Sequence, residues 1–391
     1  MYSLLIHWIW FSELSGLPQR QKLHLLRQGY EPEELYHATA DELPQHPDAM
    51  ALLDKELTTA RNIAESCRQN GISILTFRDA AYPERLRNVE DGPVLLYYRG
   101  VLPDLDDQPV ISLVGTRKAT PYGLRIARLL AGQIAACGGL VISGGAAGVD
   151  AAAMEAALDA GFITVGVLGC GVDVVYPAAN RKLFERVLQR GCLLSEYPPG
   201  TKPEHWHFPQ RNRIISGLSH GVLVVEAPMK SGALITARCA LDQGRDVYTV
   251  PGNIDSAACE GSNTLMTEGA QPVMSGWDLM RNYEARFPGV VSKKEVPPQT
   301  RQDPIPTGGD KIDIDNPACG PYSVMMDRAQ DLSEEEKQLL SCLRYEPVLI
   351  DEVIAQSGIP AAKVLGMMTL LSVKGYITMH PGRRCSLTKM K

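Results

Sequence analysis

The sequence predicts an α/β protein: a parallel sheet covered by helices on both faces, with a small helical domain before it and a winged helix after it. Three observations predict it. From Pro109 to about residue 250, apolar runs of strand length alternate with helical stretches, the order that builds βαβ units. Those runs, Val110-Ile-Ser-Leu-Val114 and Thr164-Val-Gly-Val-Leu168 among them, are apolar almost throughout, as strands buried on both faces are. Beyond a Pro/Gly-rich stretch, two helical patterns, a Gly turn and two short strand-like runs follow, the order of a winged helix-turn-helix.

Taken in order, residues 1–71 read as a small helical domain. The apolar stretch 1–11 contains His7, has no basic leader and is far too short for a membrane span, so it reads as a core helix. Helices are expected over 22–28, 32–36 and 50–69, separated by Gly and Pro turns. The core, 72–283, opens with strands at 72–76 and 94–98. Strands then follow at 110–114, 140–143, 164–168, 192–195, 222–226 and 246–250. Helices are expected at 122–137, 150–160, 181–189, 213–219 and 233–243. Crossovers should be right-handed, with ligands at the carboxyl ends of the strands. Residues 284–330, with Pro288, Pro297, Pro298, Pro304, Pro306 and Pro317, read as a linker. In 331–391, Ser333-Glu-Glu-Glu336 is a capping signature. Helices at 349–357 and 361–374 and strands at 375–379 and 384–387 follow.

Bulk properties exclude several classes. A formal net charge of −6 over 391 residues rules out a protein that is basic all over, though nucleic acid needs only a local patch. The segment 180–213 is such a patch, with seven Lys or Arg against three Glu. None of the nine cysteines forms a C-x-x-C pair, which points to reduced thiols in the cytoplasm rather than a disulfide frame or a zinc site. There is no Gly-Lys-Ser/Thr phosphate loop, so ATP hydrolysis has no visible apparatus. His205 and His207 lack a third ligand nearby, and Asp173 lacks a partner for acid–base work. No cofactor and no metal are expected.

The candidate sites sit at strand ends. In Phe208-Pro-Gln-Arg-Asn-Arg213 two arginines bracket Asn212. With the helix expected from 213, they fall where a loop enters a helix, and the backbone donors there favour anions. Ser143-Gly-Gly-Ala-Ala-Gly-Val-Asp150 links strand to helix, with glycines suited to an amide nest; Asp150 reads as a cap rather than a catalyst. Arg117 projects after Gly115 at the sheet edge, either as an anion clamp or as an arginine tying down a loop. Trp206 and Phe208 are either stacking platforms beside cations or core filling. Ser231 reads as an N-cap.

Together, Gly115-Thr-Arg117, Ser143–Asp150, Tyr176-Pro177, Ser195-Glu196, Phe208–Arg213, Val225-Glu226, Ser231-Gly-Ala-Leu-Ile-Thr236 and Pro251-Gly252 resemble the DprA/Smf family of DNA-processing proteins over about residues 72–275. The resemblance implies an extended Rossmann-like fold that binds single-stranded DNA without catalysing a reaction. It also implies a homodimer that helps load RecA onto the strand in natural transformation, alongside single-strand-binding protein. Carried over residue by residue, the DNA contacts are Arg117, Ser143, Gly144, Gly145, Gly148, Lys202, Arg211, Asn212 and Arg213. One departure is Met154, where the family usually has histidine. The rival class is a nucleotide-sugar hydrolase of the lysine-decarboxylase-like type, but the Pro-Gly-Gly-x-Gly-Thr loop of those enzymes is absent. A third reading is a nucleotide sensor with the winged helix as duplex reader; only Lys363 and Lys374 are basic on its second helix.

Overall fold

The computed structural model describes residues 2–43, 47–294, 333–343, 348–373, 376–380 and 384–388. The chain divides into two compact units, Met1–Gln299 and Thr300–Lys391.

The first unit is built on a nine-stranded sheet. Its strands are β1 (Ser73–Thr76), β2 (Leu95–Gly100), β3 (Val110–Val114), β4 (Leu140–Ser143), β5 (Thr164–Leu168), β6 (Cys192–Ser195), β7 (Gly221–Val224), β8 (Asp246–Thr249) and β9 (Gln271–Pro272), in the order β1-β2-β6-β5-β4-β3-β7-β8-β9. From β3 to β9 every pairing is parallel; β1 and β2 add an antiparallel hairpin at the β6 edge. The chain starts the parallel sheet at β3, winds outward through β4, β5 and β6, then returns to place β7 on the other side of β3. That reversal opens a crevice between β3 and β7 at the carboxyl edge.

The helices before the parallel sheet are α1 (Tyr2–Glu13), α2 (Gln19–Arg27), α3 (Pro32–His37), α4 (Thr58–Gln69) and α5 (Glu84–Arg87). Those within it are α6 (Pro121–Ala136), α7 (Val149–Asp159), α8 (Arg181–Arg190), α9 (His207–Leu218) and α10 (Gly232–Asp242), followed by α11 (Glu260–Thr267) and α12 (Gly276–Met280). Strand alternation divides them between the faces. On β3, Ile111 and Leu113 join α6, α7 and α12 through Ala127, Leu130, Ala152 and Leu279. Val110 and Val114 face the other way, toward Ile214, Leu218 and Ala237 of α9 and α10.

Besides α5, α11, α12 and β9, which no sequence pattern announced, three features differ from expectation. The helix expected over 50–69 is a 3-10 turn, Pro47–Leu53, followed by α4. Between them Asp54 accepts from the Glu56 amide at 3.1 Å and Glu56 from the Thr58 amide at 2.6 Å, local bonds that compete with a continuous helix. The first helices share one apolar cluster with the sheet, Trp8, Phe11 and Leu26 together with Tyr97 and Val167, so packing has no break near residue 71. The third difference is α9, which begins at His207 instead of 213. Pro209 falls in its first turn, where the missing N–H costs nothing. The buried His207 ring, 3.1 Å from the Gly169 carbonyl, anchors its start.

In the second unit, helices Glu334–Ser341, Ile350–Ser357 and Ala361–Val373 pack on a sheet of Val348–Leu349, Arg384–Leu387 and Ile377–His380. Gly358, at φ 64°, makes the turn between the second and third helices, and Leu340, Val353, Val364, Leu371 and Cys385 form the core. This is the expected winged helix. Lys363 pairs with Glu335 at 2.5 Å, and Lys374 and residues 295–330 of the linker lie outside the described residues. Among the described residues no helix is long and apolar enough to cross a membrane.

One buried cation in the first unit should make stability depend on pH. Lys22 on α2 is 4% exposed and donates to the Ser12 carbonyl. Burial pushes its ammonium from 10.5 down to about 8, against the nearby Glu13 and Glu196 carboxylates. Between those values the unfolded chain binds more protons than the folded one, so stability rises with pH from about 8 toward 10.5. The shift corresponds to roughly 3 kcal/mol at about 1.4 per pH unit, and losing the bond to Ser12 takes back about 1. Lys22→Met should therefore stabilise the protein at pH 7 by about 2 kcal/mol and abolish the alkaline gain. Urea melts across pH 7–10.5 check this; an unchanged profile refutes it.

Candidate nucleic-acid interface

Where β3 and β7 diverge, the loops after them and the first turns of α9 and α10 enclose a cleft of about 430 Å³. Gly115 lets the β3 loop close against the β7 loop: a Cβ there would stand 2.9 Å from the Glu226 carbonyl and 2.5 Å from Val149. The Thr116 amide donates to that Glu226 carbonyl at 2.7 Å. The buried Glu226 carboxylate in turn accepts from the Thr120 amide and hydroxyl, both at 2.7 Å, tying the start of α6 to β7.

Three exposed cations line the cleft: Arg117 and Lys118 from the β3 loop and Lys230 from the β7 loop. Among the described residues none of the three forms an ion pair. The Arg117 guanidinium lies over the Phe208 ring at 5.0 Å, and the Tyr176 ring packs on Phe208 at 5.4 Å. Trp206, 58% exposed, stands beside the buried His207 at the start of α9. Phe208 is thus a half-buried wall, Trp206 an exposed ring, and Arg117 an exposed cation.

The arginines of α9 behave otherwise. They sit in its second turn, not at a loop entering a helix, and residues two apart point about 200° apart around a helix. Arg211 turns inward and is 4% exposed. Its Nη1 donates to the carbonyls of Gly144, at 2.8 Å, and Val167, and its Nε to Asn212 at 3.3 Å. The loop-tying role weighed for Arg117 thus falls to Arg211. Asn212, also buried, donates to the Gly232 carbonyl at 3.2 Å and fixes the start of α10. Arg213 lies off the cleft wall, bonded to both Glu196 carboxylate oxygens at 2.7 and 2.8 Å and 3.3 Å from Asp91.

The Ser143–Asp150 loop forms an amide nest whose anion is internal. Asp150 Oδ2 accepts from the Gly144 amide at 3.1 Å and the Ala146 amide at 3.4 Å. It does so from the second position of α7, whose N-cap is Gly148. Burial raises the Asp150 carboxyl, and the Arg211 charge and the loop amides pull it back down. Burial likewise brings Arg211 down to about 10, so it stays protonated. Ser143 is buried and donates to the Leu113 carbonyl at 2.5 Å. Gly144 and Gly145 are buried as well. Gly148, at φ 82°, leaves no room for a side chain, since a Cβ would collide with the Thr116 carbonyl. Of this loop only Ala146 and Asp150 reach the cleft. Lys202 is exposed on the loop before α9 but off the cleft wall. That loop is held by Asp173, which accepts from the Gly200 amide at 2.9 Å. Ser231 caps α10 through the Ala233 amide at 3.3 Å. Met154 is fully buried with Phe184, Leu168 and Leu193, on the side of the sheet that α7 and α8 cover.

A sequence model of DNA recombination-mediator protein A matches residues 73–284, and one of the DprA winged helix domain matches residues 326–383. The chain belongs to the DprA/Smf family. Protein Smf of Synechocystis is 35% identical over 325 residues, 82% of this chain and 81% of that protein. The DNA processing protein DprA of Bacillus subtilis is 39% identical over 219 residues, 56% and 74% of the two chains. Among solved structures, DprA of Streptococcus pneumoniae superposes with a TM-score of 0.61 at 34% identity, covering 71% of this chain and 96% of that one. DprA of Helicobacter pylori, a structure reported for its single-stranded DNA binding mode, superposes at 0.50 with 31% identity, covering 55% and 97%.

In this DprA/Smf chain, sequence reasoning missed Lys118 and Lys230 on the cleft wall, and it named Thr236 only as the end of the Ser231 motif. Lys118 directly follows Arg117, and Lys230 directly precedes the Ser231 cap. Their position beside flagged residues was the one signal available, and it had meaning only once β3 and β7 were known to be neighbours.

Proposed function

We propose that this DprA/Smf protein binds single-stranded DNA across the β3/β7 cleft and helps RecA assemble on it during recombination and DNA uptake. The observation that carries the reading is a set of three exposed cations, none in an ion pair among the described residues, beside aromatic rings at the carboxyl edge of the sheet. Cations supply strand affinity and rings supply stacking, a combination that tolerates any base sequence. The DprA relative from Helicobacter pylori, described by its single-strand binding mode, supports it.

The protein acts by binding and not by turnover. Asp150, a carboxylate on the cleft wall, holds two loop amides on Oδ2, the work of a structural cap. It works in the cytoplasm as a homodimer, whose two clefts would grip one strand with added avidity. Such a clamp holds a strand clear of single-strand-binding protein while RecA nucleates. The test joins two measurements. Anisotropy of labelled oligonucleotides should show tighter binding to single strands than to duplex. The lag of RecA ATPase on strands coated with single-strand-binding protein should shorten when the protein is added. Equal affinity for duplex sinks the strand reading; an unchanged lag despite strand binding removes the RecA role alone.

A further inference from the structure

The cleft has more than its cations and rings to offer a phosphate. Its floor is the N-terminus of α10, an 11-residue helix whose first amides lack intrahelical partners and whose dipole favours anions. Ser231 caps the Ala233 amide with its hydroxyl and the Leu234 amide with its carbonyl, while the Gly232 amide has no partner among the described residues. Nothing lies within 4 Å of where a Gly232 Cβ would stand, so a ligand can approach the backbone directly. One turn on, Thr236 is 2% exposed and lies on the cleft wall. Its hydroxyl has no hydrogen-bond partner among the described residues, and its oxygen is not one of the fully buried unpaired atoms, so it meets the cleft. Arg117, Lys118 and Lys230 line the same cleft and add three positive charges to it. Phe208, Ile215 and Ile235 give the cleft an apolar side, and its volume is at the small-molecule end of the ligand-pocket range.

A phosphodiester carries one negative charge, whereas a phosphomonoester is close to a dianion at neutral pH with three oxygens to satisfy. The geometry points to a site for a nucleoside 5′-monophosphate, with its phosphate on the Gly232 amide and Thr236 hydroxyl, ringed by the three cations, and its nucleoside on the Phe208 side. Such a group comes from two sources, a free nucleotide or the 5′-phosphorylated end of a strand. The inference rests on the reading of this cleft as a phosphate-binding site.

The experiment compares two labelled single strands identical except for a 5′-phosphate or a 5′-hydroxyl, with thymidine monophosphate, thymidine and inorganic phosphate as competitors. The 5′-phosphorylated strand should bind at least about fivefold tighter. Thymidine monophosphate should displace it, while thymidine and inorganic phosphate at the same concentration should not. Thr236→Val should bring the phosphorylated strand down to the affinity of its 5′-hydroxyl twin, and Thr236→Ser, which restores the hydroxyl, should keep most of the preference. Melting curves confirm that both variants are folded. Equal binding of the two strands with no competition by the nucleotide overturns this inference and leaves the single-strand reading standing. Inorganic phosphate competing as well as the nucleotide also overturns it. Nucleotide binding without strand binding upholds it and overturns the single-strand reading instead. Binding of neither overturns both.

Discussion

Arg211→Ala is expected to lower the unfolding free energy by about 4 kcal/mol, at about 2 for each of its two hydrogen bonds from a charged donor to a backbone carbonyl. The guanidinium bridges the Gly144 and Val167 carbonyls at the ends of β4 and β5 from inside α9, so its loss takes a charged donor from both and leaves a void behind. It also leaves the Asp150 carboxylate without the charge that draws its pKa down. The pH dependence follows from that. The folded pKa of Asp150 already lies above its unfolded value, so the folded state binds the proton more readily and the ionised form costs stability as pH rises through the folded value. Without Arg211 that cost grows, and the deficit against wild type should be largest at neutral pH and shrink toward acid. Arg211→Lys should recover little, because one ammonium cannot reproduce the planar fork. Chemical melts at two pH values check this. A normally stable Arg211→Ala protein that has lost strand affinity would return Arg211 to the phosphate-clamp role the sequence suggested.

The triple substitution of Arg117, Lys118 and Lys230 by alanine should do the opposite. All three side chains are exposed, and none holds an ion pair among the described residues, so melting should stay close to wild type. Strand affinity should fall by about 3 kcal/mol, roughly a hundredfold, at about 1 kcal/mol for each cation taken away from a phosphate. The plot of log affinity against log salt should flatten by about 2, at ~0.7 per neutralised phosphate of a single strand. Anisotropy titrations from 50 to 300 mM salt, over which the Debye length shrinks from about 14 to about 6 Å, measure both quantities. Arg213, paired with Glu196 and Asp91, should leave the slope unchanged when replaced. If Arg213→Ala flattens the slope while the triple variant does not, the strand runs along the other face of α9.

Much of this architecture was legible in the chain itself. Strands β3 to β6 fall on the expected residues, and β7 and β8 begin within one residue of them, because burial on both faces writes an uninterrupted apolar run into a strand. Ser231 and Ser333 were readable as caps because the bonds they make reach only two or three residues along the chain. The start of α9 was not. The local signal, a proline among polar residues, fits a loop as well as a first turn. What settles it is His207 packed under the Gly169 carbonyl, 38 residues away in sequence. The phase of that helix then sends Arg211 into the protein and Arg213 to the opposite side, so two arginines that look equivalent in sequence have different partners. The cleft depends on distance in the same way. Arg117 and Lys230 are 113 positions apart, and they meet because the chain reverses direction across the sheet and sets β7 beside β3. Periodicity and capping are local and can be read from a sequence. Which strands become neighbours is settled by how the helices pack over the whole sheet, and here that choice made the site.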